Sequence, residues 1–430
     1  MKKYYERLIE PYLSSLMREF PAISVDGLKG VGKTVTAKRI AKTAFELDRP
    51  RDYDQVVNIP DILLSETPPV LIDEWQRFPA VWDYIRRAVD DGAGAGSFLL
   101  TGSLANSDTN IHSGAARIIR KRMYPLSLAE RGIETPTVSI NDIFHSEKQF
   151  DIAINGKTEI TPRGYIYEIA ASGLPEFRNL SIESRKIAFE SYFMNLLSHE
   201  FNQQGLRVRQ PGAMLRWLRS FAAATSTDAG YSEILDASTA GEGAKPSSKT
   251  TTAYREALEN LWLLDELQPW IDGEDFFAGL KHTPKHYLAD PALSAYLLGL
   301  DEKILTGSNG WPTIAEKFDK KYGSVIGRLF EALVYLCLKT YAEVNNAKIY
   351  FVKTYKGDRE IDFIIQKDYK LIACEVKFSP FAAQSDGNHI KWFIDKVGAD
   401  CRDAIIINAG AAAYRRSDGI AVIPAALLTA

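Results

Sequence analysis

The chain has 430 residues, 46% of them hydrophobic and 25% charged, which calls for roughly two to four domains and excludes wholesale disorder. Lys plus Arg number 52 against 55 Asp plus Glu, a net charge of −3, so any nucleic-acid contact must rest on local basic surface. Three cysteines, Cys337, Cys374 and Cys401, form no C-x-x-C pair, so neither a structural zinc site nor a disulfide framework is expected.

The first residues, MKKYYERLIEPYL, carry charges and a proline where a signal peptide would have its apolar core. No apolar run approaches the roughly 18 to 20 residues that span a bilayer. The expectation is a cytoplasmic protein with no membrane segment.

Residues 22–34 read AISVDGLKGVGKT: a short apolar strand runs into Gly27-x-x-x-x-Gly32-Lys33-Thr34, and a helix-compatible stretch, VTAKRIAKTAFEL, follows. Glycines let backbone N–H groups curl around phosphate, and a helix N-terminus adds partial positive charge. Gly27, Gly30, Gly32, Lys33, Thr34 and Val35 are therefore the expected nucleotide cradle. Lys33 would reach the β- and γ-phosphates, and Thr34 would ligate Mg²⁺.

Residues 68–79, PPVLIDEWQRFP, end an apolar strand in two acids. A P-loop needs a second carboxylate on a neighbouring strand, and Asp73 would hold the Mg²⁺ shell there. Glu74 would orient or activate the attacking water. Helical spacing of Trp82, Ile85, Ala88 and Val89 precedes a glycine-rich turn and a buried strand, Phe98 to Leu100. That strand leads to Thr101, read as a γ-phosphate sensor or simply as a strand cap. Arg117, Arg120, Lys121 and Arg122 then cluster, as an arginine finger in cis or in trans, or as a solvated face.

The order GLKGVGKT, VLIDEWQRFP, FLLTGS and an Arg-rich segment running into YPLSLAER resembles the AAA-type ATP-binding proteins of bacteria and archaea. In that family a P-loop ATPase precedes a C-terminal domain of unknown function. The resemblance covers most of the chain and implies ATP binding and hydrolysis.

Residues 131–195 read as a lid or connector. From 196 to 300 the order is a helix, a polar Gly-rich stretch (226–250), a Ser/Thr/Lys-fronted amphipathic helix and a short strand. That is the order of a winged helix, and it looks like the corresponding part of the family. Ser248, Lys249, Thr251 and Arg255 would then face DNA, or the region is a protein-interaction module. His282 and His286 are spaced like metal ligands on a helix, but Pro284 between them disfavours that helix.

Residues 323–342 form a strongly helical stretch carrying Glu331. Strand-like segments follow, and alternation puts Asp362 on one face of the first apolar strand and Glu375 with Lys377 on one face of the next. Charges in apolar strands are costly unless paired or metal-bound. Pairing as a hairpin would let Asp362, Glu375 and Lys377 converge on Mg²⁺ or Mn²⁺, with Glu331 completing the shell. The order resembles the PD-(D/E)XK restriction-endonuclease-like fold, although Ile361 stands where that motif has its proline. A surface salt bridge on an edge hairpin is the simpler alternative.

The expected architecture is α/β throughout. A P-loop AAA-type ATPase domain (1–130) is followed by the connector (131–195), a helical winged-helix-like middle (196–300) and an α/β restriction-nuclease-like C-terminal domain (301–430). The expected activity is Mg²⁺-dependent ATP hydrolysis regulating DNA engagement by the nuclease-like domain, in a homo-oligomer or with a partner protein. The rival reading is a signalling or defence switch whose C-terminal domain binds a partner and cuts nothing.

Overall fold

The computed structural model describes residues 3–103, 116–203, 211–238, 248–271, 283–305, 324–354 and 357–430. Two compact units emerge: Met1–Pro125 with Leu258–Leu263, and Leu126–Ala257 with Leu264–Ala430.

The first unit is built on five parallel strands, β1 (Ala22–Asp26), β2 (Thr43–Glu46), β3 (Val70–Asp73), β4 (Phe98–Gly102) and β5 (Ile118–Arg122), in the order β2-β3-β4-β1-β5. β1, β3 and β4 are buried end to end, as their near-continuous apolar sequences require of a sheet covered on both faces. Phe45, Ile72, Trp75, Trp82, Ile85 and Leu100 share one side of that core. The helix expected to run through VTAKRIAKTAFEL stops at Ile40. Ala41 is extended, and Thr43–Glu46 instead forms the edge strand β2, where Phe45 gains a buried place against β3. Tertiary burial outweighs the local helical propensity there.

Asp73 also lies one strand further from the P-loop than expected. β4 stands between β1 and β3, and Thr101 is in register with Val25 on one side and Asp73 on the other. The site therefore forms at the carboxyl edge of three adjacent strands.

The second unit holds β6 (Val138–Ser139), β7 (Gly156–Lys157), β8 (Leu264–Leu267), β9 (Lys285–Leu288), β10 (Lys348–Lys353), β11 (Glu360–Lys367), β12 (Lys370–Lys377), β13 (Cys401–Asn408), β14 (Ala412–Arg415), β15 (Ala421–Pro424) and β16 (Leu428–Thr429). Its main sheet runs β10-β11-β12-β13-β15-β14-β7, while β8–β9 and β6–β16 pair separately. Before β8 come helices Pro211–Ala223, Tyr231–Ser238 and Ser248–Asn260. Helix Val325–Val344 leads into β10, and helix Asn388–Val397 separates β12 from β13. β11 and β12 pair antiparallel across a two-residue turn, with Phe363 opposite Cys374. Alternation in sequence leaves that pairing conditional; as formed, it carries Asp362 and Glu375 to the same end of the hairpin.

Candidate functional site

The P-loop grows from the end of β1. Gly27 sits at φ 153°, and a Cβ there would meet the Met123 carbonyl oxygen at 2.2 Å, so only glycine fits. Gly32, left-handed at φ 102°, starts helix Lys33–Ile40 and aims its first N–H groups into the loop. Lys33 folds back to donate to the carbonyls of Gly27 (2.8 Å) and Leu28 (3.1 Å). Burial lowers its pKa to about 8, against the pull of Glu74, Asp26 and Asp73. A buried ammonium that donates to backbone carbonyls is a strong attractor for phosphate oxygens.

Thr34 donates to Asp73 Oδ1 at 2.8 Å, and Thr101 donates to the same oxygen. A hydroxyl and a carboxylate converging beside the phosphate cradle are hard oxygen donors that fit Mg²⁺. When bound, the ion would neutralise phosphate charge, and Thr34 and Asp73 would hold it. Glu74 adopts a left-handed conformation (φ 55°) that turns its carboxylate off the strand end. Gln76 donates to one oxygen, and Ser103 lies 3.4 Å from the other. Val35, beside Thr34, is exposed.

Sequence reasoning missed two supports. Buried Arg7 donates to the carbonyls of Val31 (2.8 Å) and Tyr124 (2.6 Å), fixing the P-loop from outside. Asp26, ending β1, accepts from Ser24 at 2.9 Å and pairs with Arg120 at 2.7 Å; burial raises its pKa, and Arg120 opposes the rise. Neither residue lies inside a motif, so no local signal marked them. The basic cluster is engaged within its own unit: Arg117 with Asp90, Arg120 with Asp26, Lys121 over the Tyr12 ring, and Arg122 over Tyr124 and Trp262.

In the second unit Asp362 and Glu375 lie near each other, but not as an open metal cage. Lys285, from β9, is 2% exposed and places its ammonium 2.8 Å from Glu360, 3.2 Å from Glu331 and 3.4 Å from Asp362. The other Asp362 oxygen accepts from the Val376 N–H at 2.8 Å. Glu375 pairs with Lys377 at 2.7 Å, and its second oxygen has no hydrogen-bond partner among the described residues. Tyr287 donates to Glu331 at 2.8 Å. Burial and the neighbouring acids raise Glu331 to about 7 and Glu375 to about 8, with lysines opposing both shifts. For Glu360 burial pushes up, but Lys285 and Lys353 outweigh it and hold it at about 2.

Among the described residues no three His, Cys, Asp or Glu side chains are grouped to hold a metal ion. Of the expected set Glu331, Asp362 and Glu375, the first two share the Lys285 ammonium and the third pairs with Lys377. Lys285 was invisible in sequence because it lies far from the E-x-K stretch.

Of the residues expected to face DNA, Arg255 stacks over the Tyr231 ring at 4.1 Å. Thr251 is on the same helix, and the side chains of Ser248 and Lys249 lie outside the described residues. His282 also lies outside them, and His286 is buried, with a ring nitrogen 2.8 Å from the Ala229 carbonyl. No helix among the described residues is long and apolar enough to cross a membrane.

The first unit's parallel sheet, P-loop and strand-end acids define an AAA-type P-loop domain, and residues 19–131 match the AAA domain family. Two domains of unknown function match further on, DUF8612 over 163–304 and DUF4143 over 326–428. Uncharacterized proteins of Mycobacterium bovis and Mycobacterium tuberculosis are each 23% identical over 308 residues, 69% of this chain. The chain spans 60% of the length of those relatives. A Walker-type ATPase of Pyrococcus abyssi aligns at 13% identity and a TM-score of 0.35, covering 68% of this chain and 96% of that one.

Proposed function

We propose that the chain is a Mg²⁺-dependent ATP hydrolase whose nucleotide cycle switches a C-terminal domain between states of engagement with a partner. The observation that carries the ATPase half is the convergence of Thr34 and Thr101 on one Asp73 oxygen beside the Lys33 cradle, with Glu74 turned toward the same edge. In this reading Lys33 binds the β- and γ-phosphates, Thr34 and Asp73 hold the ion, and Thr101 reports the γ-phosphate. Glu74 takes the proton of the attacking water. The fourfold division at 130, 195 and 300 belongs to the same proposal, and three helices followed by the β8–β9 pair support a winged-helix-like middle.

The non-cutting form is favoured by the Lys285 ammonium among the C-terminal acids. A second reading, a nuclease engaged on DNA, draws support from Glu375 and Lys377 paired at the same hairpin end as Asp362. Phosphate release by the full chain, with and without several DNA forms, separates the two when run beside gel assays for cleavage. Hydrolysis lost in Lys33→Ala, with no DNA cut on any form, is the expected result. Cleavage lost in Asp362→Ala favours the nuclease instead, and hydrolysis that survives Lys33→Ala sinks the ATPase assignment.

A further inference from the structure

The C-terminal pocket gathers four acids: Glu331 from helix Val325–Val344, Glu360 and Asp362 from β11, and Glu375 from β12. A cluster of carboxylates this close repels itself unless a cation sits among them. Lys377 pairs with Glu375 and Lys353 lies 3.5 Å from Glu360, while Lys285 is the cation that reaches three of the acids at once. Its ammonium has three protons, and three carboxylates lie within 3.4 Å, one for each. The Lys285 ammonium also lies over the Phe351 ring, 5.6 Å from its centroid.

What remains for a metal is small. Asp362 gives one oxygen to Lys285 and the other to the Val376 N–H, and Glu331 Oε1 receives both Lys285 and Tyr287. Glu375 gives one oxygen to Lys377, and its Oε2 is buried with no hydrogen-bond partner among the described residues. Mg²⁺ asks for six ligands in near-octahedral order and Mn²⁺ takes a similar oxygen set. A divalent ion set beside a buried ammonium would also meet strong repulsion in low dielectric.

We propose that Lys285 is the resident cation of this pocket, standing where a divalent ion would otherwise bind, so that the C-terminal domain holds its partner without metal-dependent cutting. The inference deepens the switch reading and rests on it. It assigns a specific role to a residue outside the E-x-K stretch: Lys285 neutralises the acids and welds β9 to β11 and to the long helix.

The test is Mn²⁺ uptake by the full-length, nucleotide-free protein, followed from the paramagnetic signal of free Mn²⁺, with Thr34→Ala used to subtract any ion held at the P-loop. The wild type is expected to show no saturable uptake at the C-terminal acids. Lys285→Ala is expected to gain one site per chain, and Lys285→Ala with Asp362→Asn to lose it again. Saturable wild-type uptake abolished by Asp362→Asn overturns the proposal, and that arm stands even where Lys285→Ala does not fold. A folded Lys285→Ala that gains no site overturns it as well. ATP hydrolysis by the same preparations is read separately, so a failed ATPase assignment leaves the Mn²⁺ result intact.

Discussion

Thr34 and Asp73, thirty-nine positions apart, meet at 2.8 Å across the carboxyl edge of the sheet, hydroxyl to Oδ1. Thr34 lies in the first turn of the helix after the P-loop and Asp73 closes β3, so the contact ties the phosphate cradle to the acid that would hold the ion's shell. Asp73→Asn keeps the shape and removes the charge. ATP turnover is expected to fall about 100-fold or more in saturating Mg²⁺, because charge at the phosphates is no longer matched. Steady-state phosphate release checks this, and unchanged turnover contradicts the assigned role of Asp73.

Lys33 makes a prediction about protons. With no nucleotide its pKa is lowered to about 8 by burial. Phosphate favours the charged form, so bound ATP raises that pKa again. At pH 9 most of the free protein carries neutral Lys33 and must take up a proton on binding; at pH 7 the group is already charged. Calorimetry in buffers of different ionisation enthalpy should show uptake near zero at pH 7 and approaching one proton at pH 9, a difference absent in Lys33→Met.

Arg120 and Asp26 form a half-buried pair, with side-chain exposures of 37% and 3%. Breaking a fully buried pair costs roughly 3–5 kcal/mol. Solvent around Arg120 and protonation of Asp26, whose pKa is already raised by burial, reduce that. Arg120→Ala is expected to destabilise by about 2 kcal/mol in urea denaturation, and Asp26→Asn in the same background to recover part of the loss.

Glu375 sets a pH trend. Burial first, and then Asp362, raises its pKa from 4.5 to about 8, against Lys377. The folded state therefore binds this proton more tightly than the unfolded chain, and stability declines as pH rises through the window from 4.5 to about 8. Glu375→Gln removes the proton linkage. Its unfolding midpoint should vary less than the wild type's across that window; parallel curves would contradict the assignment.

Much of the nucleotide site was legible because its chemistry is local. Gly27 to Thr34 is one contiguous loop, and Asp73 with Glu74 ends one apolar strand. Two features of the first unit were not legible. Phe45 takes a strand through packing against β3, overriding the helical text around it. Arg7 reaches Val31 and Tyr124 only after the chain closes. In the C-terminal hairpin, period-2 alternation assigned Asp362 and Glu375 to faces, and their approach followed once β11 and β12 paired. It could not predict their counter-ion, because Lys285 arrives from a separate two-stranded sheet. Long-range charge compensation leaves no periodic trace in sequence.

The most direct test of the central claim is the fate of bound ATP in Glu74→Gln. The variant keeps the P-loop, Thr34 and Asp73 but lacks the carboxylate that would take the water's proton. With radiolabelled ATP and Mg²⁺ in a single turnover, the wild type should convert bound ATP to ADP. Glu74→Gln should bind equally well yet hydrolyse about 100- to 10,000-fold more slowly, the range a positioned general base contributes. Conversion at the wild-type rate, or no ATP bound by the wild type, would contradict the account.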